Sequence, residues 1–279
     1  MGVELIINDC DGTLTDIDKE SPTFIKEFKK DIQKYLGWID NFFNKEWDAA
    51  EKLVTENPMD YGWFQGVGII VVNSDPIIKA QTIACKLFDD RKLLLDDNER
   101  FQFLYPLFKS NYEKMPTIFK PEAKEYLWNA KLDYNTCIIT NSHPDSVKKK
   151  FEYMPQHSDI KIYGDAKKFI MDRKWDGVPE TIEKDGFPRP VNLRAKFYWD
   201  VLNNIMDEKK IRAEQVVVVG DIYEFDLALP EYMGMNIILL PTKNTYDFEM
   251  SVVNKSEKGY VANNLYDANN HIDEINNSL

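Results

Sequence analysis

Five short runs rich in Ile and Val punctuate the chain, at residues 3–7, 136–140, 160–163, 216–219 and 237–240. Each is too short for a buried helix, and their near-continuous apolar character suits strands covered on both faces. Helical patterns at 122–132, 144–153, 194–205 and 224–233 alternate with the later runs. Strands alternating with helices of this length imply right-handed crossovers within a parallel sheet. The expected fold is therefore α/β, a doubly wound Rossmann-like parallel sheet.

One stretch breaks the rhythm. From about residue 17 to 115 the pattern turns mainly helical: Phe24, Phe28, Ile32 and Leu36 recur at every fourth position, with Ile25 and Tyr35 beside them. A second apolar stripe runs through Ile39, Phe42, Phe43, Trp47, Ala50, Leu53 and Val54. Further helices are expected over 76–88 and 98–112. Residues 62–68 read as a turn-rich break, and 68–72 fit either a strand or a helix start. The aromatic stripes read as packing between helices. The expected organisation is a core of residues 1–16 and 116–279 with a mainly α-helical domain, 17–115, inserted after the first strand.

Composition narrows the function. With 279 residues and 43% hydrophobic content the chain can bury a sizeable core. The formal net charge of −12 opposes phosphate backbones and anionic lipid, so neither nucleic acid nor membrane is expected as the main partner. A small anionic substrate would need a local metal ion or lysine to overcome that field. Cys10, Cys85 and Cys137 are too scattered for a disulfide framework or a Cys-x-x-Cys metal site. The amino terminus lacks the basic and long apolar regions of a signal peptide, and no apolar run approaches the roughly 18 residues of a membrane helix. A soluble, cytoplasmic location is expected; the oligomeric state is not legible.

Ligands of open α/β sheets bind beyond the carboxyl ends of the strands. There the sequence places Asp9-Cys10-Asp11-Gly12-Thr13 after the first run, Thr140-Asn141-Ser142 after the second, and Gly220-Asp221, with Asp226 five residues on, after the fourth. Singly, each has an ordinary structural reading as a turn or helix cap. Together they differ, because carboxylates at 9, 11 and 221 converging on one edge would repel strongly unless a cation sat among them. Hard oxygen ligands suit Mg²⁺. If strand geometry continues, Asp9 and Asp11 point to the same side. One carboxylate could then attack phosphorus while the other serves as general acid and base. Thr140 offers a hydroxyl for the phosphoryl oxygens. Lys196, at the start of the helix before the fourth run, is the expected ammonium, with Lys167, Lys168 and Arg194 as substitutes.

The string Asp9-x-Asp11-Gly12-Thr13-Leu14-Thr15-Asp16 after an apolar strand resembles the first motif of the haloacid dehalogenase superfamily of phosphohydrolases. The run ending in Thr140 resembles the second motif, Lys196 the third, and Gly220-Asp221-x-x-x-x-Asp226 the fourth, all in the family's order. The resemblance implies Asp9 as nucleophile and Mg²⁺ ligand, and Asp11 as acid/base that also offers its backbone carbonyl to the metal. It implies Asp221 and Asp226 as further metal ligands, and Thr140, Asn141 and Lys196 on the substrate phosphoryl group. An Asp at position 11 points to phosphomonoester hydrolysis or phosphoryl transfer, and 17–115 stands where the family inserts a cap.

Two substrate classes follow: a small phosphorylated metabolite enclosed by the cap, or a phosphoprotein, with phosphotyrosine in an aromatic groove. A catalytically idle binding module is the rival from another class, opposed by the joint presence of the motif residues. A receiver-type signalling domain fits worse, because its lysine follows the last acidic residue whereas Lys196 precedes Asp221. The stretch 171–192 is longer than a minimal core needs, and His143 follows Thr140 closely enough to be weighed as a site residue, although a surface histidine is the plainer reading.

Overall fold

A computed structural model describes residues 2–58, 60–61 and 74–279. The expectations for 62–68 and 68–72 fall wholly outside the described residues. The chain divides into two compact units, Met1–Asp16 with Ile118–Leu279, and Ile17–Thr117.

The first unit is built on a six-stranded, wholly parallel sheet. Its strands are β1 (Leu5–Asn8), β2 (Asn135–Ile139), β3 (Lys161–Tyr163), β6 (Val216–Gly220), β7 (Asn236–Leu239) and β8 (Gly259–Val261), in the order β3-β2-β1-β6-β7-β8. A separate antiparallel pair, β4 (Thr181–Ile182) and β5 (Val191–Asn192), interrupts the series. The helices are α5 (Ala123–Asp133), α6 (Pro144–Phe151), α7 (Lys196–Lys209), α8 (Ala228–Tyr232), α9 (Asp247–Lys255) and α10 (Leu265–Ser278). Each of the five expected runs is a strand, shifted by a residue or two. Three strands were not legible: β8, whose Gly259-Tyr260-Val261 is too short to read as an apolar run, and the two-residue β4 and β5; the helices α9 and α10 were not expected either.

Strand residues are buried on both sides of the sheet. Ile6, Ile138, Val217, Val219 and Ile238 join Tyr126, Leu127 and Ala130 of α5, Val147 and Phe151 of α6, and Leu265, Ala268, Ile272 and Ile275 of α10 in one core. The alternate residues Leu5, Ile7, Cys137, Val218, Ile237 and Leu239 are buried as well. Two-sided burial explains why the strands read as unbroken apolar runs rather than alternating ones. Asn8 at the end of β1 and Asn236 at the start of β7 are polar exceptions; the buried Asn8 Oδ1 accepts from the Tyr126 hydroxyl at 2.6 Å.

The inserted unit comprises α1 (Ile17–Leu36), α2 (Asp40–Glu56), α3 (Pro76–Arg91) and α4 (Asp97–Tyr112). Phe24, Phe28 and Ile32 of α1 meet Phe43, Trp47 and Val54 of α2 and Ile83, Leu87 and Phe88 of α3, so the aromatic stripes are an interhelical core. Asp75 and Asp96 cap α3 and α4, each accepting from two backbone amides.

Tyr126→Phe should lower the unfolding free energy by about 1–3 kcal/mol in urea melts, since the Asn8 side chain, whose Nδ2 has no hydrogen-bond partner among the described residues, would then lose its Oδ1 partner too.

Candidate active site

In this sheet order the chain reverses direction between β1 and β6: one connection leads outward through β2, the other through β7. Such a switch point leaves a crevice at the carboxyl ends of the two strands. Asp9 follows β1 directly, its amide bonded to the Val219 carbonyl of β6 at 2.9 Å. Asp221 follows β6, and the π-helical turn Tyr223–Leu227 then carries Asp226 back toward it. Carboxylate oxygens of Asp9, Asp221 and Asp226, all buried, lie within 4.8 Å of one another.

Local backbone geometry makes this approach feasible. Gly12 has φ +90°, and a Cβ there would fall 2.2 Å from Asp221 Oδ2. At Gly220 a Cβ would fall 2.3 Å from that of Asp226. Only glycine fits either place. Thr13 Oγ1 donates to Asp221 Oδ1 at 3.2 Å, Ile222 N donates to Asp226 Oδ2 at 3.1 Å, and the Tyr198 hydroxyl donates to the Asp226 carbonyl at 2.9 Å.

The ammonium at the centre belongs to Lys168. Its Nζ donates to Asp9 Oδ1 at 2.8 Å and to Asp226 Oδ1 at 2.7 Å, with the side chain 1% exposed. Lys196, expected in that place, lies elsewhere: its side chain is 39% exposed and its Nζ pairs with Asp200 one helical turn along α7 at 2.5 Å. The i, i+4 partner and solvent hold Lys196 on the helix surface. Lys168 was legible only as a substitute, because it lies on an irregular segment where no periodicity marks it. Asp165 and Lys167, at φ 51° and 49°, turn the backbone sharply around Ala166. Asn141 Oδ1 then fixes Lys168 by accepting from its amide at 2.8 Å. Thr140 is buried; its Oγ1 accepts from Ser142 N at 3.1 Å and its carbonyl from Ala166 N at 3.0 Å.

The side chain of Asp11 does not join the carboxylate cluster. Strand geometry stops at Asn8, and the chain turns through Leu14 N and Thr15 N bonding the Cys10 carbonyl. The alternation that would aim Asp9 and Asp11 together therefore does not continue. Asp11 instead accepts from Lys150 Nζ and Ser142 Oγ, both at 2.5 Å. Lys150 is drawn inward on the buried stripe Val147, Lys150 and Phe151 of α6. His143 is exposed and caps α6 through Nδ1, which accepts from Asp145 N.

Three carboxylates against one ammonium leave an excess of two negative charges. At 4.8 Å each like pair repels by roughly 3 kcal/mol in an effective dielectric of about 20. Burial pushes Asp9 up to about 7; Lys168 pulls it down and Asp226 pushes it up again. Burial opposes the charge of Lys168, but Asp226 and Asp9 outweigh it and raise Lys168 above its ordinary value. All-oxygen donors with surplus negative charge fit a hard divalent cation, and no sulfur or imidazole belongs to the group.

The family model for haloacid dehalogenase-like hydrolases matches residues 3–234, and the chain belongs to that family of hydrolases, whose members usually depend on a metal. Among curated proteins none matches. Solved structures share the fold. A haloacid dehalogenase-like family hydrolase from Xanthomonas campestris is 14% identical with a TM-score of 0.54, covering 99% of this chain and 97% of its own. A predicted phosphoglycolate phosphatase from Haemophilus somnus is 17% identical with a TM-score of 0.56, covering 96% and 97%. A HAD-hydrolase from Bacillus subtilis bound to magnesium is 11% identical with a TM-score of 0.52, covering 98% and 100%. Among the described residues no helix is long and apolar enough to cross a membrane.

Gly12→Ala should weaken binding of a divalent cation at least tenfold in calorimetric titration, because its Cβ must displace the Asp221 carboxylate.

Proposed function

We propose that the chain is a Mg²⁺-dependent phosphatase that hydrolyses phosphomonoesters through an aspartyl-phosphate on Asp9. The observation that carries this reading is the convergence of Asp9, Asp221, Asp226 and Lys168 at the β1/β6 switch point in a haloacid dehalogenase-like hydrolase.

Asp9, Asp221 and Asp226 would hold Mg²⁺, which when bound neutralises negative charge on the carboxylates and on a phosphoryl oxygen. Lys168 keeps one oxygen of Asp9 oriented and offsets its charge, so that the carboxylate can approach an anionic phosphoryl group. Asp9 attacks phosphorus, the ester oxygen leaves with the bonding pair, and Asp11 protonates it, having first taken up a proton from solvent and released its contacts with Lys150 and Ser142. Asp11 then takes a proton from the water that attacks the acyl phosphate, and Asp9 is regenerated with release of inorganic phosphate. Thr140, at the end of β2, would bind the phosphoryl oxygens beside Asn141, whose Oδ1 also holds the backbone of Lys168.

For the substrate we favour a small phosphorylated metabolite. The inserted unit 17–117 stands in the chain where the family carries its cap, and Phe24, Phe28, Phe43, Trp47 and Phe88 of it are buried in its own core. Buried there, those stripe residues cannot line a phosphotyrosine groove. The neighbour from Haemophilus somnus, a predicted phosphoglycolate phosphatase, is consistent with a small acid.

Turnover of p-nitrophenyl phosphate should require Mg²⁺, stop on chelation, and fall below detection in Asp9→Asn. Lys168→Met should lower kcat/KM at least a hundredfold, about 2.7 kcal/mol or more, while Lys196→Ala stays within about twofold of wild type. The reverse order would return the lysine's role to Lys196. A panel of small phosphorylated acids, sugars and nucleotides against a phosphotyrosyl peptide tests the substrate class, and preference for the peptide would overturn it.

A further inference from the structure

Between β3 and α7 the chain makes a long excursion, residues 164–195, far beyond the few residues that normally join a strand to a helix. Its start delivers Lys168 to Asp9 and Asp226. Its end returns to the same place by a second route. Arg189 Nη1 and Nη2 donate to the two carboxylate oxygens of Glu224 at 2.9 and 2.7 Å. Asn192 adds its amide and its Nδ2 to Glu224 Oε1 at 3.2 and 3.3 Å. Glu224 lies on the π-helical turn between Asp221 and Asp226, and its side chain is 1% exposed.

We infer that this excursion is a strap that sets the spacing of the cation ligands, with Glu224 as the positioning residue and Arg189 as its anchor. The inference rests on the proposed cation site and assigns a part to a segment whose sequence shows only length and prolines. Three features support it. The turn must hold two like-charged carboxylates within 4.8 Å of each other, and their repulsion works to open it. A π-type turn is rare and concentrates at functional sites. A buried ion pair is also a poor device for stability alone, since desolvation cancels much of its attraction. Here the cost is higher still, because Arg189 Nε is buried with no hydrogen-bond partner among the described residues. The pair clamps the middle of the turn, while the Ile222 amide and the Tyr198 hydroxyl fix its far end at Asp226.

The test is Mg²⁺ binding by isothermal titration calorimetry on the metal-free full chain, alongside its melting temperature without Mg²⁺. Glu224→Gln and Arg189→Met should each weaken Mg²⁺ about 10- to 100-fold, the range typical of partners behind metal ligands. Arg189→Lys, which keeps the charge but loses the two-pronged contact, should fall between them and wild type. The double variant should be no weaker than the worse single one, since both remove one clamp. Lower melting temperatures with Mg²⁺ affinity within twofold of wild type would overturn the inference and leave the pair as ordinary packing. Should Glu224→Gln and Arg189→Met fail to fold, unchanged affinity in Arg189→Lys overturns it equally. Wild-type protein that binds no Mg²⁺ would instead bring down the proposed function, and this inference with it.

Discussion

Three buried carboxylates and one buried ammonium at the edge of the sheet are the arrangement on which the rest of the first unit depends. Charges of one sign do not gather in a protein interior unless the backbone forces them together and something opposite offsets them. Here the force comes from two adjacent parallel strands, β1 and β6, ending side by side. Lys168 supplies part of the offset. The glycines at 12 and 220 have a physical meaning only in this context, because any side chain there would occupy the space the acids need.

The fold was largely legible because its strands are covered on both faces. Double burial removes the polar alternation that would blur a strand, leaving Val216-Val217-Val218-Val219 as plain a signal as a sequence offers. The strands without a trace in the sequence are those held by neighbours rather than by their own composition. β8 pairs only with β7 at the sheet edge, and β4 and β5 consist of two residues each. The helices of the inserted unit were legible for the opposite reason, since Phe24, Phe28 and Ile32 repeat with the helical period.

At the site, residues next to strand ends could be read and residues on irregular backbone could not. Asp9 and Asp221 are fixed by the strands that precede them. Lys168 is fixed by left-handed turns at Asp165 and Lys167 and by Asn141 across a loop, none of which leaves a periodic trace. A lysine opening a helix looked better placed, but Asp200 one turn along claims its charge. The grip of Ser142 and Lys150 on Asp11 was hidden in the same way: Lys148, Lys149 and Lys150 are identical as letters, and only the third lies on the buried face of α6.

The sheet order also bears on how the molecule is made. Leu5 sits at the middle of the sheet, yet its neighbour Val216 follows it in the chain only after the whole inserted unit and most of the first unit. At about 5–20 residues per second, the first strand waits roughly 10–40 s for its partner. The helical stretch from 17 to 117, contiguous in the chain and packed on itself, can collapse during that interval, whereas β1 meets its β2 neighbour first and its β6 neighbour only later.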